Sequence, residues 1–173
     1  MAVPATTALV PVEEYLRTSY KPACEYIEGV LRQKPMPTLK HSKLQRQVAR
    51  LIDAQAPSFQ ALPELTLRIR RSKFLVPDLV VARPERLQDP YPTEPVHLCV
   101  EIMSPEDRFA QVVGKCDEYL AWGVPTVWIL DPENRRAWQY EGWPPQEVSP
   151  GGFLEAGEIH VEVDEIFAVL QQQ

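Results

Sequence analysis

The sequence predicts a single α/β domain in which a mixed central sheet is flanked by helices. Two nearly continuous apolar runs, residues 74–82 and 96–103, are typical of strands that are buried on both faces. Apolar residues recur at helical spacing in two other segments, 41–56 and 106–122. With 173 residues, 45% of them hydrophobic, the chain can bury one sizeable core, so we expect one domain over residues 1–173.

The first half of the chain predicts two helices, a hairpin and a half-buried strand. In order, these are a short amphipathic helix at 11–17, a hairpin at 24–33, a helix of about four turns at 41–56 and an alternating strand at 65–70. Glu28-Gly29 has the composition of a hairpin turn, and Thr38 is expected to cap the second helix.

The second half predicts the central strands and the helix between them. These elements are strands at 74–82 and 96–103, a helix at 106–122, strands at 127–131 and 137–140, and a last helical turn at 164–170. Ser104-Pro105 is expected to close the second strand and open the helix, and Gly123 to end that helix.

Composition narrows the function classes. The three cysteines, Cys24, Cys99 and Cys116, lack the spacing of a disulfide framework or a zinc site, so we expect free, buried thiols and a cytoplasmic protein. Residues 1–12 do not resemble a secretory leader, and no apolar window reaches the roughly 18 residues of a membrane span. The net charge of −6 means that any DNA-binding surface depends on local charge.

Two carboxylates interrupt the apolar strands. Asp78 is the only charged residue of 74–82, and Glu101 is the only carboxylate of 96–103. An ionised carboxylate in an apolar strand costs several kcal/mol unless it is paired, hydrogen-bonded or bound to a metal. Either acid alone is more often a strand-end residue or the partner of an arginine. Together, on neighbouring strands, the two indicate a site for a hard divalent cation.

Lys115 is the third candidate. If its helix doubles back over the sheet, the distances along helix and strand bring its ammonium within reach of Glu101. The alternative is a lysine that lies at the edge of the apolar face and extends its charge into water.

Several short motifs occur in an order that resembles a known family. They are Glu25–Gly29, His41, Pro77-Asp78, Glu101–Pro105, Asp107, Lys115, Tyr119, Gly123–Pro125 and Trp128–Pro132. Over residues 12–140 the chain resembles the Uma-type restriction endonuclease family of the PD-(D/E)XK nuclease superfamily, with 141–173 adding C-terminal strands and a short helix.

This resemblance implies a restriction-endonuclease-like fold with Asp78 and Glu101 as metal ligands. The position two after Glu101, where the superfamily usually carries its lysine, is Met103. The Uma-type pattern places the lysine on the following helix, which corresponds to Lys115. Glu25 matches a further acid of the family and His41 a possible accessory residue; the alternatives are a solvated strand residue and a helix-capping histidine.

The expected activity is hydrolysis of DNA by an endonuclease that uses Mg²⁺ or Mn²⁺. Such an ion lowers the pKa of a water molecule and polarises the phosphate, and Lys115 would stabilise the developing charge. The basic run Arg68, Arg70, Arg71 and Lys73 could bind the phosphate backbone, or it could be a solvated strand edge. We expect a homodimer, because two strands must be cut. The rival function is a catalytically silent binding or regulatory module on the same fold.

Overall fold

The computed structural model describes residues 8–171. The two ends of the predicted 1–173 domain, including residues 1–7 of the N-terminal stretch, lie outside the described residues. The helices are α1 (Val12–Arg17), α2 (Leu39–Gln55), α3 (Phe109–Trp122) and α4 (Val163–Phe167). The strands are β1 (Cys24–Ile27), β2 (Val30–Gln33), β3 (Gln60–Pro63), β4 (Leu67–Arg70), β5 (Lys73–Leu75), β6 (Leu79–Ala82), β7 (Leu98–Ile102), β8 (Thr126–Asp131), β9 (Arg136–Tyr140), β10 (Gln146–Val148), β11 (Phe153–Ala156) and β12 (Ile159–Glu162).

A six-stranded mixed sheet forms the centre, in the order β10-β9-β8-β7-β6-β3. Strands β7 and β8 are parallel, and α3 makes the crossover between them. Side chains alternate between the two faces: Val100 joins the core with α2 and α4, whereas Cys99 joins the core with α3. The α/β fold class with helices on a mixed sheet is therefore confirmed.

A second, four-stranded antiparallel sheet has the order β2-β1-β5-β4. It corrects one prediction, because the apolar run 74–82 is not one strand. Residues 73–75 form β5 in this sheet, and residues 79–82 form β6 in the central sheet. Pro77 lies at the break, since proline cannot donate to a strand ladder. The run is apolar except for Asp78 because both sheets bury it.

The start of α3 is also corrected. The helix begins at Phe109, not at Glu106. Asp107 accepts a hydrogen bond from the Ser104 backbone N–H at 2.8 Å and donates its own backbone N–H to the Ser104 carbonyl. This turn satisfies the local backbone in a non-helical conformation, which delays the helix. Gly123 ends α3 as predicted, in the left-handed region at φ 119°.

Other local predictions are confirmed or narrowed. The hydroxyl of Thr38 accepts a hydrogen bond from the His41 backbone N–H, as a cap should. The strand expected at 65–70 is shorter, Leu67–Arg70. The three cysteines are free and buried. Within residues 8–171, none of the helices combines the length and the apolar character that crossing a bilayer requires.

Candidate active site

The main candidate is a cavity of about 600 Å³ where the break between β5 and β6 meets β7, α2 and α3. Its charged lining includes the carboxylates of Glu25, Asp78 and Glu101. These three residues are only 2%, 2% and 7% exposed, respectively. Burial of three acids in one place requires compensating cations, which the same cavity contains.

The pairing of β6 with β7 sets Asp78 beside Glu101. Leu79 pairs with Val100 in antiparallel register, so the preceding Asp78 and the following Glu101 face each other at the end of the ladder. Asp78 Oδ2 accepts a hydrogen bond from the backbone N–H of Ile102 at 2.6 Å. The two acids of the apolar strands are therefore neighbours, as the sequence argument required.

Lys115 of α3 bridges two of the carboxylates. Its Nζ lies 2.6 Å from Glu25 Oε1 and 2.9 Å from Glu101 Oε1. Glu25 Oε1 also accepts from the Val76 backbone N–H, and Glu101 Oε1 from the hydroxyl of Tyr119 at 2.7 Å. Glu25, Glu101 and Lys115 thus form one network, in which Lys115 is only 15% exposed.

Asp78 has its own cationic partners. Lys34 Nζ donates to Asp78 Oδ1 at 2.7 Å and to the Val76 carbonyl at 2.9 Å. The same oxygen lies 3.2 Å from Nε2 of His41, whose buried Nδ1 has no hydrogen-bond partner among the described residues. His41 therefore reaches the candidate site through Asp78.

Lys34 is the site residue that sequence reasoning missed. It directly follows β2, and its backbone N–H bonds to the Ala23 carbonyl, which extends the β1-β2 pairing by one step. The predicted hairpin contained this information, because the register that pairs Cys24 with Gln33 fixes where Lys34 begins. Nothing in the sequence indicated that β1 would lie beside β5.

The pKa values of the residues in this cluster are shifted in different directions by their surroundings. Burial on its own would raise the pKa of Asp78, but the hydrogen bond from His41 and the charge of Lys34 hold that pKa well below its usual range. Burial raises the pKa of Glu101, with Lys115 opposing the effect. Burial would lower the pKa of Lys115, but Glu101 and Glu25 raise it above its ordinary value. Lys115 is therefore a cation at neutral pH and suits charge stabilisation better than proton abstraction.

The donor set fits a hard divalent cation in its chemistry. The contacts of Glu25 and Glu101 described above all use Oε1, which leaves Oε2 of each for another ligand, and carboxylate oxygens are what Mg²⁺ prefers. Asp78 Oδ1, however, is already occupied by Lys34. In keeping with this, residues 8–171 contain no group of three or more His, Cys, Asp or Glu side chains placed to hold a metal ion.

The basic run does not form one continuous face. A register shift lies between Arg68 and Arg70, so simple alternation along the strand fails there. Arg68 lies over the ring of Phe74, with its guanidinium carbon 5.7 Å from the ring centroid. Arg70 bonds to Glu28 at 2.7 Å but remains exposed, as does Arg71.

Lys73 differs from the other members of the run. It is only 4% exposed, and its Nζ lies 2.6 Å from Glu118 Oε2 of α3. It lines the main cavity, away from the exposed arginines. Its observed partner is thus a carboxylate of the protein, and its burial excludes the solvated strand edge as a description of this residue.

Comparison with known proteins relates this chain to a nuclease family and to a nuclease structure. Residues 12–164 match the model of a family described as "Uma2: Putative restriction endonuclease", which extends the resemblance beyond residue 140. The chain is similar to a structure described as a "putative nuclease belonging to DUF820 from Anabaena variabilis ATCC 29413", with 25% identity, a TM-score of 0.79, and coverage of 93% of this chain and 99% of that one. A structure described as a "DrdV-DNA complex" matches with 13% identity and a TM-score of 0.38, over 75% of this chain and 13% of that chain, too low to support an argument. The search of curated proteins returned no match.

Proposed function

The chain belongs to the Uma2 family of restriction-endonuclease-like proteins, and we propose that it is a divalent-metal-dependent endonuclease that hydrolyses phosphodiester bonds in DNA. Family membership and the similarity to a nuclease structure support a nuclease function. The observation that carries the proposal is the convergence of Asp78, Glu101 and Lys115 on one cavity.

In this proposal Asp78 and Glu101 would hold Mg²⁺ or Mn²⁺, and Glu25 would complete the acidic set. The ion would supply a water of lowered pKa and Lewis-acid polarisation of the phosphate. Lys115 stabilises the negative charge that builds on the phosphoryl oxygens, because its ammonium is already oriented by Glu25 and Glu101. His41 acts as a positioning residue, since its contact with Asp78 restricts that carboxylate.

The exposed arginines support a nucleic-acid substrate. Arg70 and Arg71 lie in and just after β4 with their side chains at the surface. A phosphate that displaced Glu28 from Arg70 would exchange one exposed ion pair for another, at little net cost. We propose that these two residues, assisted by Arg68, contact the DNA backbone, and that the enzyme acts in the cytoplasm as a homodimer.

The direct test is cleavage of supercoiled plasmid DNA with Mg²⁺, Mn²⁺ or a chelator. We expect cation-dependent nicking that is lost, by about 10²-fold or more, in Asp78→Asn and Glu101→Gln. The matched control is Glu85→Gln, which neutralises an exposed carboxylate that does not line the cavity. Full activity in both site variants, with folding verified by circular dichroism, would exclude this site as the catalytic centre.

One observation favours the rival function, a catalytically silent binding module. Lys34 and Lys115 form ion pairs with Asp78, Glu25 and Glu101, the carboxylates that a metal would otherwise neutralise. A silent module would show no Mn²⁺ binding that depends on Asp78 and no cation-dependent cleavage. Titration calorimetry with wild type and Asp78→Asn distinguishes the two functions. An endonuclease should bind Mn²⁺ in the wild type and lose this binding in Asp78→Asn.

A further inference from the structure

The contacts of Lys34 have a consequence for the proposed metal site. The Lys34 ammonium lies 2.7 Å from Asp78 Oδ1 and 2.9 Å from the Val76 carbonyl oxygen. A Lys34 ammonium and a divalent cation would compete for the same carboxylate. Oδ2 accepts the backbone N–H of Ile102, and Oδ1 also lies 3.2 Å from His41 Nε2, so Lys34 is the ammonium that competes directly with a metal for this carboxylate.

We propose that Lys34 is a displaceable internal cation, which occupies the metal position on Asp78 and is released toward solvent when a divalent metal binds. This inference rests on the proposed function, because it assumes that Asp78 is a metal ligand. Metal binding then includes a step in which the Lys34–Asp78 ion pair is broken. The free energy of that ion pair reduces the apparent affinity of the site for the metal.

The surroundings of Lys34 allow such a release. Lys34 begins a segment, residues 34–38, that is neither helix nor strand and contains two prolines. Its side chain is 12% exposed, whereas that of Asp78 is 3% exposed, so Lys34 is the more accessible partner of the pair. Glu64 lies 3.6 Å from the same Nζ and is 43% exposed. Glu64 therefore offers the ammonium a partner after it leaves Asp78.

Lys115 and Lys73 are held differently, although both line the same cavity. Lys115 is bound between two carboxylates, Glu25 and Glu101. Lys73 Nζ lies 2.6 Å from Glu118, its side chain is 5% exposed, and it forms no ion pair with Asp78. Of the three lysines, Lys34 is the one whose movement would take an ammonium away from Asp78 Oδ1 and leave His41 as the contact there, and Lys73 provides an internal reference.

The first test follows the amine itself in the unmutated protein. Lysines are acylated with an amine-reactive ester for short times, with and without saturating Mn²⁺, and each site is quantified by peptide mass spectrometry. We expect the acylation rate of Lys34 to rise at least fivefold with Mn²⁺, while that of Lys73 stays constant. An unchanged rate at Lys34 in protein that binds Mn²⁺ would overturn the inference.

The second test measures metal affinity in Lys34→Gln, with Lys73→Gln as the matched control. Glutamine keeps a donor for the Val76 carbonyl but removes the competing charge. We expect the Kd for Mn²⁺, measured by calorimetry, to fall at least tenfold in Lys34→Gln and to stay within about twofold in Lys73→Gln, tenfold being about 1.4 kcal/mol. A Kd that is unchanged or higher in Lys34→Gln contradicts displacement.

The two proposals fail in distinguishable ways. Mn²⁺ binding that depends on Asp78 in wild type, together with no effect of Lys34→Gln and no change in acylation, would reject the inference alone. Absence of Asp78-dependent binding in both wild type and Lys34→Gln would reject the metal site and the inference with it. If Lys34→Gln does not fold, the acylation experiment still decides, because it requires no substitution.

Discussion

Replacing Lys115 by methionine should destabilise the protein strongly, because it leaves two buried carboxylates without their shared cation. Methionine has a similar length and an adaptable apolar chain, so the loss reports the charge more than a cavity. Glu25 and Glu101 are 2% and 7% exposed, and their carboxylate oxygens lie 2.6 and 2.9 Å, respectively, from the Lys115 ammonium. Removing one partner of a buried ion pair costs about 3–5 kcal/mol, a large part of the roughly 5–15 kcal/mol that holds a typical domain folded.

Urea unfolding followed by circular dichroism near neutral pH measures this loss as a change in the free energy of unfolding. The double variant Lys115→Met/Glu101→Gln should lose less than the sum of the two single variants, because it removes charge of both signs. A loss below about 1 kcal/mol in Lys115→Met would refute the reasoning, since it would mean that water already compensates the carboxylates.

The same variant should depend on pH in a defined direction. Burial raises the pKa of Glu101, and removing Lys115 raises it further. A carboxyl group whose folded pKa exceeds its unfolded value binds more protons when folded, so its penalty applies above that pKa and disappears as the pH falls through it. The deficit of Lys115→Met relative to wild type should therefore shrink as the pH is lowered through the raised pKa of Glu101. A deficit that stays constant through that range would contradict the assignment.

Three further outcomes are expected. Gly123→Ala should lower the free energy of unfolding, followed by thermal denaturation, by about 1–3 kcal/mol, because φ is 119° and a Cβ would meet a proline ring carbon at 2.9 Å. Gly114→Ala, with open space at its Cβ, should be neutral or slightly stabilising, and equal effects of the two substitutions would refute this. Burial raises the pKa of Tyr140 to about 12, so ultraviolet titration of Tyr140→Phe should show one phenolate fewer in the transition near pH 12 than wild type, and an unchanged titration curve would refute this. Because the folded pKa exceeds the unfolded value, this group makes stability fall as the pH rises from about 10 toward 12. Arg71→Ala should weaken DNA binding and make the slope of log K against log salt concentration shallower by about 0.9 per lost phosphate contact. Lys73→Ala should mainly lower stability, and the reverse pattern would reverse the roles assigned to these two residues.

The sequence predicted the parts of the site that carry a large free-energy cost. Asp78 and Glu101 stood out because an unpaired carboxylate in an apolar strand is expensive, and the sheet register then places them together. The position of Lys115 near Glu101 followed from helix and strand geometry, even though α3 starts later than expected. Mixed sheet and flanking helices followed from hydrophobic periodicity alone.

What could not be predicted depends on contacts between distant segments. Lys34 is an ordinary lysine after a hairpin, and its role arises only because β1 pairs with β5 beside the break at Pro77. The break itself was hidden, because residues 74–82 are buried on both sides of it in two different sheets. The partner of Lys73, Glu118, lies on α3, and a cluster of like charges in the sequence carries no signal for such a pairing.

A crystal soaked in Mn²⁺ tests most directly whether Asp78 and Glu101 form a divalent-cation site. Data collected near the manganese absorption edge should show one strong anomalous peak adjoining both carboxylates, with Lys34 withdrawn from Asp78, and no such peak in Asp78→Asn. A map without a peak at this position, or with manganese only elsewhere on the molecule, would contradict the account.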